Sequence, residues 1–176
     1  YKASMKGSIP VNVLTRVPSA NAAPLDLDIN LDHADMNALA LFFNPVTSAE
    51  GPIKGYVKVS GAWDDPELRG DVSVKNGRIE LLTLHDPIFP LNMDVKFDGK
   101  SATVEGNAVF GTGKSSVKGG LEWDRGAIIA YNGEAHLHAP DIHSDYYKGS
   151  LDADFGLGEV MDVPGIEGNI HVHDAL

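Results

Sequence analysis

At 176 residues the chain is long enough for one domain with a sizeable core, and a single β-repeat domain over residues 1–176 is the expectation. A formal charge of −11 with singly scattered Lys and Arg argues against a nucleic-acid partner, because phosphate binding needs clustered cations. Cysteine is absent, which removes disulfides and thiolate metal sites, and the longest strictly apolar run, Ala38 to Phe43, falls far short of the about 20 residues that span a bilayer.

In chain order, Ile9, Val11 and Val13 open a period-two pattern that reads as a first strand. Leu25-Asp26-Leu27-Asp28-Ile29-Asn30-Leu31-Asp32 alternates strictly, which puts four aliphatic side chains on one face and four polar ones on the other. Asp35 then caps one short expected helix, in which Met36, Leu39, Ala40 and Phe43 form an apolar stripe before Asn44-Pro45 ends it. Residues 1–50 are thus strands plus a capping helix, with Val46 to Pro52 read as a linker.

Residues 51–176 read as repeated β units. Lys54-Gly55-Tyr56-Val57-Lys58-Val59 is followed by the cassette Pro66-Glu67-Leu68-Arg69-Gly70-Asp71-Val72-Ser73-Val74. The same order returns as Lys148-Gly149-Ser150-Leu151 and then Pro164-Gly165-Ile166-Glu167-Gly168-Asn169-Ile170-His171-Val172. Between the copies, Ile79 and Leu81, Leu91 to Phe97, Val117 to Trp123, and Ala135 and Leu137 continue the alternation, for roughly ten or eleven strands. Turn chemistry falls at Asp64-Asp65-Pro66, Asn76-Gly77, Asp98-Gly99, Asp124-Arg125-Gly126 and Asn132-Gly133. A repeated strand–turn–strand unit predicts an all-β, elongated, stacked antiparallel architecture whose function lies along a surface. Glycines inside strands, Gly106, Gly119 and Gly149 among them, predict bends or bulges.

Four motifs are set aside. Ala108 to Ser115 fits a relaxed phosphate-loop pattern, but Ser116-Val117-Lys118-Gly119 reads as a strand where that chemistry needs a helix N-terminus. His136, His138 and His143, with His171 and His173, have spacings that invite a metal, yet those in the two strands fall on the polar face, where solvated histidine is ordinary. Asp152 to Glu159 lacks the third ligand of a calcium loop, and Arg69-Gly70-Asp71 lies inside the repeated cassette. No serine, histidine and carboxylate set has catalytic spacing, so neither an enzyme nor a cofactor is expected.

The run Gly51-Pro52-Ile53-Lys54-Gly55-Tyr56-Val57 with Pro66-x-Leu68-x-Gly70-x-Val72-x-Val74-x-Asn76-Gly77-x-Ile79 resembles the repetitive C-terminal region of the TamB family, inner-membrane-anchored, AsmA-like envelope proteins. Phe110-Gly111-Thr112-Gly113 with Gly119-x-Leu121-x-Trp123 resembles the family's closing strands, and Pro24 to Phe43 its upstream strand and helix. The resemblance implies a folded-over sheet, or β-taco, with an open apolar groove, within a periplasmic span whose anchor lies outside this fragment. It implies a TamA-like outer-membrane barrel as partner of the full-length protein. It also implies phospholipid or unfolded outer-membrane β-strands as cargo.

Val57, Val59, Val72, Val74, Ile79, Leu81, Val95, Phe97, Leu121 and Trp123 are the expected cargo-facing residues. Ten strands at about 4.8 Å would make a trough of about 48 Å. The alternative is a closed β-repeat adhesion or structural module acting through its outer face.

Overall fold

The structure, a computed structural model, describes residues 2–8, 24–37, 46–143, 148–160 and 163–173. Its elements are β1 (Lys2–Ser8), β2 (Leu25–Asp35), β3 (Val46–Glu50), β4 (Pro52–Ala62), β5 (Asp65–Leu81), β6 (Ile88–Gly99), β7 (Ser101–Phe110), β8 (Gly113–Asp124), β9 (Ala127–His143), β10 (Lys148–Val160) and β11 (Val163–His173). They form one open 11-stranded sheet in the order β1-β2-β4-β5-β6-β7-β8-β9-β10-β11, with β3 beside β5. Every pairing is antiparallel, and the sheet does not close into a barrel. Among the described residues there is no helix, hence none long and apolar enough to cross a membrane.

Register turns the alternation of single strands into two continuous faces. Ile29 pairs with Val57, Val57 with Gly70, Gly70 with Phe97, Phe97 with Ala102 and Ala102 with Leu121. A second row runs Val72, Val95, Val104, Gly119, Gly133, Leu157 and Ile166. Every member of these rows is apolar or glycine. The other face is knitted by cross-strand polar pairs: Lys58–Asp26 at 3.2 Å, Lys75–Asp94 at 2.6 Å, Lys118–Glu105 at 3.2 Å and Asn92–Asn107 at 3.1 Å.

The close approach of β4 and β5 explains one glycine of the repeated cassette. A Cβ on Gly70, whose φ is +136°, would lie 1.9 Å from the Tyr56 carbonyl oxygen. At Gly77 the space a side chain would take is filled by Met36, whose Sδ would lie 2.8 Å from an added Cβ. Met36 is itself 1% exposed.

Four sequence expectations change. Val46 to Glu50 is a strand, because the C-terminal half of the 17-residue β5 runs past β4 and pairs with Val46 to Glu50 instead. Asn76-Gly77 is a bulge within β5, with Asn76 at φ 55°, and the strand continues through it. Asn132-Gly133 lies inside β9, opposite Gly120 and Gly119, so its glycine permits close strand packing and makes no turn. Of the expected helix, Met36 and Asn37 form a turn in which the Asp35 carboxylate accepts the Asn37 N–H at 2.9 Å. The remainder of that helix, and the strand expected at Ile9 to Val13, lie outside the described residues.

Candidate functional site: an apolar groove

Three hairpin ends meet on one side of the sheet. The Lys100 ammonium, between β6 and β7, reaches Asp65 at 2.6 Å and Asp124 at 2.7 Å. The Arg125 N–H donates to Asp65 Oδ1 at 3.1 Å, and the Trp123 indole N–H donates to the Pro66 carbonyl at 3.0 Å. Pro66 and Trp123 stand on strands three steps apart in the sheet, which is about 14 Å for a flat arrangement. A direct hydrogen bond over that span requires β5 to β8 to fold over on the apolar side. The clamp shifts the ionisation of its members: the Lys100 ammonium and then the Arg125 N–H hold the Asp65 carboxyl below its ordinary 3.8, and Asp124 with Asp65 hold Lys100 above its ordinary 10.5.

The concave apolar side holds two hollows. One, of about 740 Å³, is lined by Ile79, Leu84, Ile88, Leu91, Met93, Ala108, Phe110, Val117, Ala135, Leu137, Leu151 and Phe155, drawn from six consecutive strands and the β5–β6 connection. The other, of about 450 Å³, is lined by Val95, Phe97, Ala102, Val104, Val117, Leu121, Ala135, Phe155, Leu157 and Ile166. Val117, Ala135 and Phe155 border both, so the hollows are neighbouring stretches of one groove. Each falls in the range of about 300–1,000 Å³ common for ligand pockets. The polar face bears a depression of about 600 Å³ whose walls include Thr103, Glu105, Lys118, Asn132 and Glu134. Its charged groups have mixed signs, and two of them, Lys118 and Glu105, pair with each other at 3.2 Å.

The expected cargo-facing residues divide into three sets. Ile79, Val95, Phe97 and Leu121 line the groove, and Leu121 is 38% exposed there. Val59, Val72 and Val74 share the apolar face but stand half-buried outside both hollows, and Val57 is only 7% exposed. Trp123 points to the same side with its N–H engaged in the clamp, and Leu81 pairs with Val46 of β3. Sequence reasoning left out Leu84 and Ile88, which lie beside the Pro87 and Pro90 interruption of the alternation. It also left out Val117, Phe155 and Leu157, whose alternation was legible but gave no ground for preferring them.

His136, His138, His171 and His173 occupy the polar face as expected. His136 Nδ1 lies 2.6 Å from Asp154, and His138 contacts Asp152, which also lies 3.6 Å from His173. The Asp154 carboxylate raises His136 above its ordinary 6.5. Among the described residues no three His, Asp or Glu side chains are placed to hold a metal. Gly111 and Thr112 form a turn into β8, so no helix N-terminus follows the phosphate-loop-like motif. Asp152 to Asp154 and Arg69 to Asp71 lie in extended strands.

No family model, no curated protein and no solved structure matches the chain.

Proposed function

We propose that this chain is a non-catalytic, periplasmic groove segment of a TamB-like envelope assembly protein, shielding the apolar parts of a cargo in transit between membranes. The observation that carries this reading is the groove: a predominantly apolar lining contributed by β5 to β11, on an open sheet whose opposite face carries the cross-strand ion pairs. An acyl chain lying along it gains about 0.8 kcal/mol per methylene removed from water. A charged headgroup stays in solvent at the open side, because burying it against a surface this predominantly apolar costs free energy.

A lining of many aliphatic and a few aromatic side chains, with no deep anchoring pocket for one group, gives many weak positions, which suits movement along the groove better than tight capture at one point. Phospholipid is therefore the cargo this lining supports best, destined for outer-membrane biogenesis. The TamA-like barrel is the partner of the full-length protein. Exposure of Ile166, Ile170 and Val172 at 71%, 57% and 53% favours an open groove over a sealed structural module.

Photocrosslinking amino acids placed at Val95, Leu121 and Val117, with outward controls at Lys96 and Lys118, test the proposal in envelope-expressed protein. Phospholipid adducts at the inward positions alone are the expected result. Adducts to unfolded outer-membrane protein segments would replace lipid with polypeptide as cargo. Equal labelling of both faces would overturn the groove.

A further inference from the structure

We propose, building on the groove reading above, that the β8–β9 turn is the headgroup contact of the groove, with Arg125 taking the phosphate and Asp64 the ammonium of a zwitterionic phospholipid. The acyl chain has a path to this turn. Leu121 lines the groove, and Trp123 and its cross-strand partner Ile128, the latter 65% exposed, carry the apolar side on to the hairpin end. Arg125 stands two residues beyond Trp123, about 7 Å along an extended strand. A lipid lying along Leu121 and Trp123 therefore brings its polar end to the turn.

Arginine is a poor fit to this backbone. Arg125 occupies the first of two positive-φ positions, 47° at Arg125 and 73° at Gly126, in the connection between Asp124 and Ala127. Two-residue turns of this kind favour Asn-Gly, because a side chain larger than these crowds the left-handed region. The conformation is enforced from outside: the Arg125 N–H donates to Asp65 Oδ1 at 3.1 Å, and Lys100 holds the Asp65 carboxylate at 2.6 Å. The backbone is thus fixed while the side chain stays out of the packing, 85% exposed, with its Nε 4.0 Å from an Asp124 carboxylate that Lys100 already engages at 2.7 Å. A guanidinium so placed keeps its fork of N–H donors for a phosphate, which it grips through two parallel hydrogen bonds.

The charge around the turn selects the rest of the headgroup. Asp64 adjoins it: the Asp64 carbonyl oxygen would lie 3.7 Å from a Cβ on Gly126, and Asp64 is exposed. Asp64, Asp65 and Asp124 outnumber Lys100 and Arg125, so a headgroup of net negative charge is repelled. A headgroup that couples a phosphate to an ammonium meets a partner for each. Trp63, 46% exposed and next in sequence to Asp64, adds an aromatic surface suited to the ammonium.

Displacement of an apolar fluorescent probe by short-chain phosphatidylethanolamine, phosphatidylglycerol and diacylglycerol tests the assignment. The parent chain is expected to bind phosphatidylethanolamine most tightly. Arg125→Asn suits the turn better, so it should hold or raise the urea midpoint while weakening phosphatidylethanolamine about two- to fivefold and leaving diacylglycerol unchanged. Asp64→Asn should weaken phosphatidylethanolamine by a similar factor and strengthen phosphatidylglycerol. Inorganic phosphate should not compete with the lipid; competition at equal concentration would assign the turn to free phosphate and overturn the proposal. Equal phosphatidylethanolamine affinity in the parent and Arg125→Asn, or phosphatidylglycerol bound by the parent as tightly as phosphatidylethanolamine, also overturns it, with the groove intact. Failure of all three lipids to displace the probe removes the groove reading itself and this contact with it.

Discussion

The arc from β5 to β8 and the flank from β9 to β11 carry the same alternating chemistry, but they present it differently. In the arc, Val72, Val74, Val95 and Phe97 are half-buried, and the Asp65–Lys100–Asp124 contacts and the Trp123–Pro66 bond draw the hairpin ends together over the apolar side. On the flank, Leu157, Ile166 and Ile170 are 44%, 71% and 57% exposed. The flank's polar side is held by His136–Asp154 and His138–Asp152, contacts between neighbouring strands that impose no curvature. Alternation therefore makes an apolar face, and a contact that skips strands makes that face a groove.

The largest expected effect comes from breaking the clamp at its aromatic member. Trp123→Ala removes a half-buried indole and the bond to Pro66, and is expected to cost about 2–4 kcal/mol in urea unfolding. Leu157→Ala on the exposed flank should cost well under half as much. Equal losses would remove the distinction between the two regions.

Charging the groove separates binding from folding. Val117 borders both hollows and is 40% exposed, so Val117→Asp is expected to keep the far-ultraviolet circular dichroism of the parent. It should weaken the binding of an apolar fluorescent probe about tenfold, equivalent to about 1.4 kcal/mol. Lys118→Asp, one residue along on the polar face, should leave probe binding nearly unchanged.

The clamp also has a pH signature. Because Lys100 and the Arg125 N–H depress the Asp65 pKa, the stability it contributes is fully present above the ordinary value of 3.8 and is lost as pH falls through the lower folded value. The stability gap between the parent and Lys100→Met should therefore narrow in that acidic window. The flank gives the smallest effect, with the opposite sign. Asp154 raises His136, so the advantage of the parent over Asp154→Asn should be full below about pH 6.5 and fade as pH rises through the higher folded value. Denaturant midpoints across pH measure both.

Much of the fold was legible because a half-buried strand writes its two environments into alternate residues: Leu25 to Asp32 and Leu91 to Phe97 declare both faces without reference to any partner. β3 was missed because Val46 to Glu50 is short and flanked by Pro45 and Gly51-Pro52, and its partner is the far half of β5. Asn76-Gly77 and Asn132-Gly133 have hairpin chemistry, yet strand pairing carries through both. The clamp was not legible at all. Pro66 and Trp123 are 57 residues apart, and the ion pairs join three turns that each look like ordinary solvated turns. Without the clamp, sequence alone could rank no apolar position above another, so Val57 and Leu121 were weighted alike although one is buried and the other lines the groove.

The central claim is that the apolar side is an open, cargo-binding groove. An environment-sensitive fluorophore attached at Val117→Cys and, separately, at Lys118→Cys tests it directly, since the chain has no other cysteine. Titration with phospholipid is expected to give a saturable blue shift from position 117 and none from position 118. The same response at both positions, or none at 117 in folded protein, would contradict the groove.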